Sequence, residues 1–152
     1  MTSVATHSAP VWGPKSDFII RADLEKWGMA GRYEQLWSRK LDDFSFEVCC
    51  IPFFTYGIAL GDTVESTPEY TIDTVTERKG HKTLRVAVTD KQKQDVCHEL
   101  LHAWVDSTGL LYEWHSPGYL AVDLPPDAQP GVNMLALEAL KDRGEICVEV
   151  DE

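Results

Sequence analysis

The chain has 152 residues, one domain's worth on a soft prior of roughly 100 to 200 residues per domain. With 43% hydrophobic, 10% aromatic and 26% charged residues it has ordinary globular usage, which speaks against intrinsic disorder, collagen-like repeats and low complexity. Fourteen basic against 25 acidic side chains leave a formal charge of -11, which disfavours nucleic acid, whose binding draws on clustered Lys and Arg, and makes a basic protein the better electrostatic match.

In chain order, Met1 to Pro10 lacks the basic cluster and apolar stretch of a secretory signal, and no segment reaches the roughly 18 to 20 apolar residues of a membrane span, so a cytoplasmic location is expected. Residues 1–16, rich in Ser, Thr, Ala, Pro and Gly, read as a flexible lead-in. Phe18-Ile19-Ile20 opens a short strand, and Gly28 and Gly31 mark a loop. Tyr33 to Lys40 and Phe44 to Ile51 read as two strands, the second alternating with Phe44, Phe46, Val48 and Cys50 on one face until Pro52 stops it. An apolar, Gly-punctuated connection from Phe53 to Asp62 leads into Thr63-Val64-Glu65-Ser66, read as a tight loop. Strands are expected at Tyr70 to Glu77 and Thr83 to Thr89, around a turn at Arg78 to His81.

After that strand the period changes. Lys91 to Ser107 has helical spacing, with Val96, Cys97, Leu100, Leu101 and Trp104 as one apolar stripe, Asp90 as N-cap and Gly109 as C-terminal stop. Leu110 to Trp114 and Tyr119 to Leu124 form a hairpin across Ser116-Pro117-Gly118, then a second helix is expected at about Val132 to Arg143, with Met134, Leu137 and Leu140 in the core, and a last strand at Ile146 to Val150. The expected class is α+β. A small antiparallel β-barrel-like part (17–82) joins a ferredoxin-like β-α-β-β-α-β part (83–152), and because the strand from Leu84 can serve both, the two need not fold independently. Cys49, Cys50, Cys97 and Cys147 fit neither a disulfide framework nor a zinc knuckle and are expected to be reduced, mostly buried thiols.

His98-Glu99-Leu100-Leu101-His102 fits H-E-x-x-H, in which two histidines one turn apart hold Zn²⁺ while the Glu acts as general base. The extended pattern fails, because Val105 stands where it needs glycine and Thr108 where it needs a third histidine; His115 is the nearest further candidate by type. At about 100° per residue, with Val96 at zero, the apolar stripe centres near 70°, and His98 and His102 near 200° and 240°. Both rings are therefore expected on a wet face, with no metal or other cofactor.

Candidate binding residues come from elsewhere. Phe53 and Phe54 are expected in the core, while Tyr56 stands as an aromatic contact for a partner. Asp62 accepts turn amides, and His81 and Arg85 are placed to meet a carboxylate or a ligand's anionic group. Glu113 and Asp123, on neighbouring strands, form a carboxylate pair suited to acid-base work if their environments differ, although two acids on the wet face of a sheet is the commoner arrangement.

Three segments carry a resemblance: Glu34 to Trp37, Phe46 to Glu65 and Gly80 to Val86, continued by Tyr112-Glu113-Trp114 and Leu120 to Pro126. With them the chain resembles the DUF4265 family of bacterial proteins over about Trp12 to the C-terminus. That resemblance implies no reaction, cofactor or substrate, and it rests on segments other than the His98 to His102 helix.

The expected function is therefore a non-enzymatic acidic module that binds, and neutralises or regulates, a basic protein partner. The alternatives are a zinc-dependent hydrolase on His98, Glu99 and His102, and a small-ligand sensor or accessory enzyme of a biosynthetic pathway that uses Arg85, Glu113 and Asp123. Neither nucleic acid nor membrane is expected as a partner, and the sequence leaves the oligomeric state open.

Overall fold

A computed structural model describes residues 3–128 and 134–151. It is a mixed α+β structure of two sheets and two α-helices. The first sheet collects β1 (Ser3–Ala5), β2 (Phe18–Asp23), β3 (Arg32–Asp42), β4 (Ser45–Val48), β5 (Thr63–Ser66) and β6 (Ile72–Glu77). The second collects β7 (Lys82–Val88), β8 (Tyr112–Ser116), β9 (Tyr119–Leu124) and β10 (Ile146–Asp151) in the order β10-β7-β9-β8, with α1 (Gln94–Thr108) and α2 (Leu135–Asp142) as its connections. Among the described residues no helix is long and apolar enough to cross a membrane.

The first sheet differs from expectation in three ways. Residues 3–5 of the supposed lead-in pair in parallel with Arg32 to Glu34, and His7 behind them is 3% exposed, because the N-terminal segment finds both a free strand edge and buried acceptors. Thr63 to Ser66, read as a loop, is a strand between β4 and β6: its alternation buries Val64, and its backbone completes the ladder on both sides. The sheet also curls without closing. β2 meets the residue just before β6 at one isolated bridge, Arg21 to Thr71, and no ladder among the described residues completes a barrel. Its core is Ile20, Ala22, Leu36, Phe46, Val48, Cys50, Ile58 and Val64. The β4 strand ends at Val48, earlier than the alternation implied, since Cys49 and Ile51 turn their amides to Trp37 O and to the Glu113 carboxylate.

In the second sheet, Leu84, Val86, Leu120, Val122 and Ile146 face the helices and meet Cys97, Leu101, Trp104, Leu137 and Leu140. The stripe on α1 is rotated from the expected one. Val96 is 57% and Leu100 48% exposed, and the buried members are Cys97, Leu101, Trp104 and Val105. The stripe thus centres near 125° on a wheel of about 100° per residue, since the sheet takes up Val105 in place of Val96 and Leu100. Asp90 caps the 3-10 turn that precedes α1, accepting from the amide of Gln92, and Gly109, at φ 72, ends α1 in the left-handed region that glycine adopts without a Cβ penalty. The second helix begins at Leu135; Val132 and Asn133 of the expected span lie outside the described residues. Cys49, Cys50 and Cys97 are buried thiols, and Cys147 is exposed.

The opposite face of the second sheet places the site. In each strand the phase opposed to the helix-facing leucines and valines carries Thr83, Arg85, Glu113, Ala121 and Asp123, all buried; Ala121 packs with Ile51 and Phe53, Glu113 meets Ile51, and Arg85 meets Pro52 and Thr55. The cross-strand register sets Glu113 beside Ala121 and Ala121 beside Arg85. A face expected to be wet is the junction between the two sheets.

Candidate functional site

At this junction lies a buried ion triad centred on His7. Its Nδ1–H donates to Glu113 Oε1 and its Nε2–H to Glu34 Oε2, each at 2.7 Å, and its ring stacks on Phe53 with centroids 4.2 Å apart. Each ring nitrogen faces a carboxylate oxygen, an arrangement that suits the imidazolium, which donates from both nitrogens. Burial works against that charge, but the Cys50 thiol beside the ring and the hydrogen bonds to Glu113 and Glu34 outweigh it and hold the pKa up at about 12. Burial pushes the Cys50 thiol up to about 11, against the hydrogen bond and the charge of His7. Glu34 is 0% exposed and also accepts the amides of Phe53, Phe54 and Thr55 and the Thr55 hydroxyl. Burial raises its pKa, and the His7 charge and these donors overcome that and lower it. Glu113 accepts the Ile51 amide at 2.6 Å. Through these hydrogen bonds the triad is a clamp that ties the N-terminal segment, β3, β8 and the 51–55 loop together.

A second clamp holds the same loop from the other side. Arg85, 2% exposed, donates to Pro52 O at 3.1 Å and Thr55 O at 2.8 Å, and its Nη1 lies 3.5 Å from Asp151. Its guanidinium sits against the Tyr56 ring, 4.9 Å from the centroid, and the Tyr56 hydroxyl donates to Glu149 at 2.6 Å, the bond that chiefly raises the phenol pKa. Asp62, also buried, accepts the amides of Ala59 and Lys79. His81 donates from Nδ1 to Asp123 at 2.8 Å. Burial raises the Asp123 pKa, and His81 opposes the rise.

The six binding residues expected from sequence all border this junction, Glu113 as a member of the triad. Glu113 and Asp123 do not pair. The register places Ala121 opposite Glu113 and Thr83 opposite Asp123, so each carboxylate takes its own histidine. Both are buried, at 4% and 3% exposure.

A cleft of about 480 Å³ opens beside the clamped loop, walled by Trp27, Tyr56, Ile58 and Ile72. Trp27 and Tyr56 meet with centroids 5.7 Å apart. Asp23, Glu25 and Asp73 also line it. Its two cations, Lys26 and Arg78, are engaged, with the Lys26 ammonium over the Trp27 ring and Arg78 donating to Gly57 O at 2.6 Å. A side pocket of about 170 Å³ shares Gly57, Ile58 and Arg78 with the cleft and reaches Asp62 and His81.

Sequence reasoning missed His7, Glu34 and Trp27. Glu34 carried a readable signal: it falls in the phase of Leu36 and Ser38 on β3, the core-facing set, where a carboxylate must have partners. Nothing in the local sequence marks His7.

His98 and His102 lie on the flank of α1 over the Trp114 ring, with centroid distances of 4.3 and 6.3 Å, instead of pointing away from the sheet. The rotated stripe brings them there. His98 Nδ1–H donates to Pro117 O at 3.0 Å, and His102 Nε2 lies 3.1 Å from Asp106. His115 is on the other face of β8, among Phe53, Phe54 and Tyr119, because strand alternation opposes it to Trp114. Among the described residues no group of three or more His, Cys, Asp or Glu is placed to hold a metal ion.

No curated protein matches the chain. A solved structure described as a novel crystal structure of a hypothetical protein from Neisseria gonorrhoeae is similar over 88% of this chain and 94% of that one, with a TM-score of 0.63 and 21% identity, a likeness of fold. The model of a domain of unknown function, DUF4265, matches residues 34–147, a span that holds the Glu34 clamp, the Tyr56 loop and Arg85, and the chain belongs to that family.

Proposed function

We propose that the protein is a non-enzymatic, acidic binding module whose cleft at the Trp27–Tyr56 wall receives a basic segment of a protein partner. The observation that carries this reading is the cleft's lining: two aromatic rings, Trp27 with Lys26 and Tyr56 with Arg85 already against one face, beside Glu25 and Asp73, carboxylates with no ion pair among the described residues, while the resident cations Lys26 and Arg78 are engaged. The formal charge of -11 adds long-range attraction for such a partner. In this reading the two clamps hold Tyr56 in a preformed position, which lowers the ordering cost of binding. The order β10-β7-β9-β8 with helical crossovers supports assigning the C-terminal part to the ferredoxin-like class, and the curl of the first sheet supports a barrel-like N-terminal part.

The test is capture of partners by immobilised protein at low and high salt, beside Trp27→Ala and Tyr56→Ala. A protein retained at low salt, released at high salt and lost in both variants supports the reading. Equal capture by the variants and the wild type sinks it. One observation favours a second reading, a small-ligand site: the His81–Asp123 pair beside the side pocket. A thermal-shift screen of metabolites against wild type and His81→Gln tests it, and stabilisation confined to the wild type is the expected result.

A further inference from the structure

The α1–α2 face of the second sheet carries apolar side chains that its own core leaves out. Val96 and Leu100 stand one turn apart on α1 and are about half exposed, and Leu135 on α2 is 72% exposed. Between the helices runs a groove of about 200 Å³ lined by Leu100, Leu101, Trp104, Ala136 and Ala139, with Arg143 at its edge. The two alanines leave room for an incoming side chain. Its outer flanks are acidic. On a wheel of about 100° per residue, Glu99 lies roughly 60° beyond Val96 on the side away from Leu100, and Glu138 roughly 60° beyond Leu135 on the side away from Ala136. Asp95 extends the first flank and Asp142 the second, whereas Asp106 is engaged by the Tyr112 hydroxyl and His102. Within the two helices Lys141 is the single Lys or Arg, and Arg143, just beyond α2, is paired with Glu145 at 3.0 Å.

We infer that this groove docks an amphipathic basic helix of a protein partner, its apolar face over Leu100 and Leu135 and its Lys or Arg side chains over the acidic flanks. Charge selects that occupant over a second copy of this chain, which would bring carboxylates against carboxylates across a self-complementary face. The inference rests on the reading of the protein as a binder of basic partners but names a surface separate from the Trp27–Tyr56 cleft.

The experiment uses two synthetic peptides of roughly 18 Leu and Lys residues, about five helical turns. One is patterned with an apolar face, and the other is a scramble of the same composition. Fluorescence anisotropy measures their binding to wild type, to the Leu100→Gln/Leu135→Gln double variant and to Trp27→Ala. The patterned peptide is expected to bind the wild type at least about tenfold more tightly than the scramble, a preference lost in the double variant and kept in Trp27→Ala. Both substitutions of the double variant are at exposed positions, so its circular dichroism spectrum should match the wild type. Equal binding of the two peptides, or a preference that survives the double substitution, overturns the inference. Failure of the cleft reading looks different: partner capture is then equal for wild type, Trp27→Ala and Tyr56→Ala, whatever the peptides do. A concentration-dependent dimer of the wild type, abolished by the double substitution, would make the face a self-interface and overturn the assignment of a basic partner.

Discussion

Replacing His7 by alanine isolates the energetics of the junction. The substitution removes two 2.7 Å charge-assisted hydrogen bonds and leaves the Glu34 and Glu113 carboxylates buried without their cation. Breaking a buried ion pair in this way costs about 3–5 kcal/mol. Against a typical total stability of about 5–15 kcal/mol that is a large fraction, and in a domain of this size it lowers Tm by roughly 6–20 °C. The pH dependence gives an independent check. The folded chain keeps the His7 proton up to about 12, whereas the unfolded chain loses it near the ordinary 6.5. Stability from this group is therefore complete below 6.5 and drains away as pH rises toward 12, at no more than about 1.4 kcal/mol per pH unit. The alanine variant lacks that slope, so the gap between it and the wild type narrows between pH 7 and pH 9. Urea denaturation followed by tryptophan fluorescence at several pH values measures both quantities. A loss below about 1 kcal/mol at pH 7, or a gap that widens as pH rises, refutes the ion-triad account.

Two further predictions follow from the same geometry. Arg85→Met removes the guanidinium that spans Pro52 O, Thr55 O and Asp151; a loss of about 3 kcal/mol should come with faster amide exchange at Phe53 to Gly57, and unchanged protection there counts against a clamped loop. Leu101→Ala should cost about 2–5 kcal/mol, because Leu101 is fully buried against the second sheet, while Leu100→Ala, half exposed on the same helix, should cost well under half as much; equal losses in thermal denaturation would mean that the helix is rotated from the orientation described.

Local patterning made much of the framework legible. The Asp90 cap, the Gly109 stop and the apolar period marked α1, and alternation marked Lys82–Val88, Tyr119–Leu124 and Ile146–Asp151 closely. Thr63 to Ser66 escaped because four residues offer only two alternating pairs, and its strand character comes from ladders on either side. The phase of α1 was misjudged because Val96 and Leu100 satisfy helical spacing as well as Val105 does, and only the sheet beneath decides which are covered.

The candidate site shows the same division more sharply. Sequence by itself determined most of the strands and both helices, the acidic balance of the chain, and that Tyr56, Asp62 and His81 lie in or beside turns while Arg85 lies within a strand, since these depend on side-chain period, charge and turn chemistry over a few residues. The phase it shares with Leu36 carried a signal that the Glu34 carboxylate points inward, which the sequence reading did not use. Which cation would meet that carboxylate was decided only by the tertiary structure. His7 lies 27 residues from Glu34 and 106 from Glu113, and the three converge because the second sheet turns its polar face onto the first. An ion placed out of water needs an opposite charge within a few ångströms, and a separation along the chain holds no information about that distance.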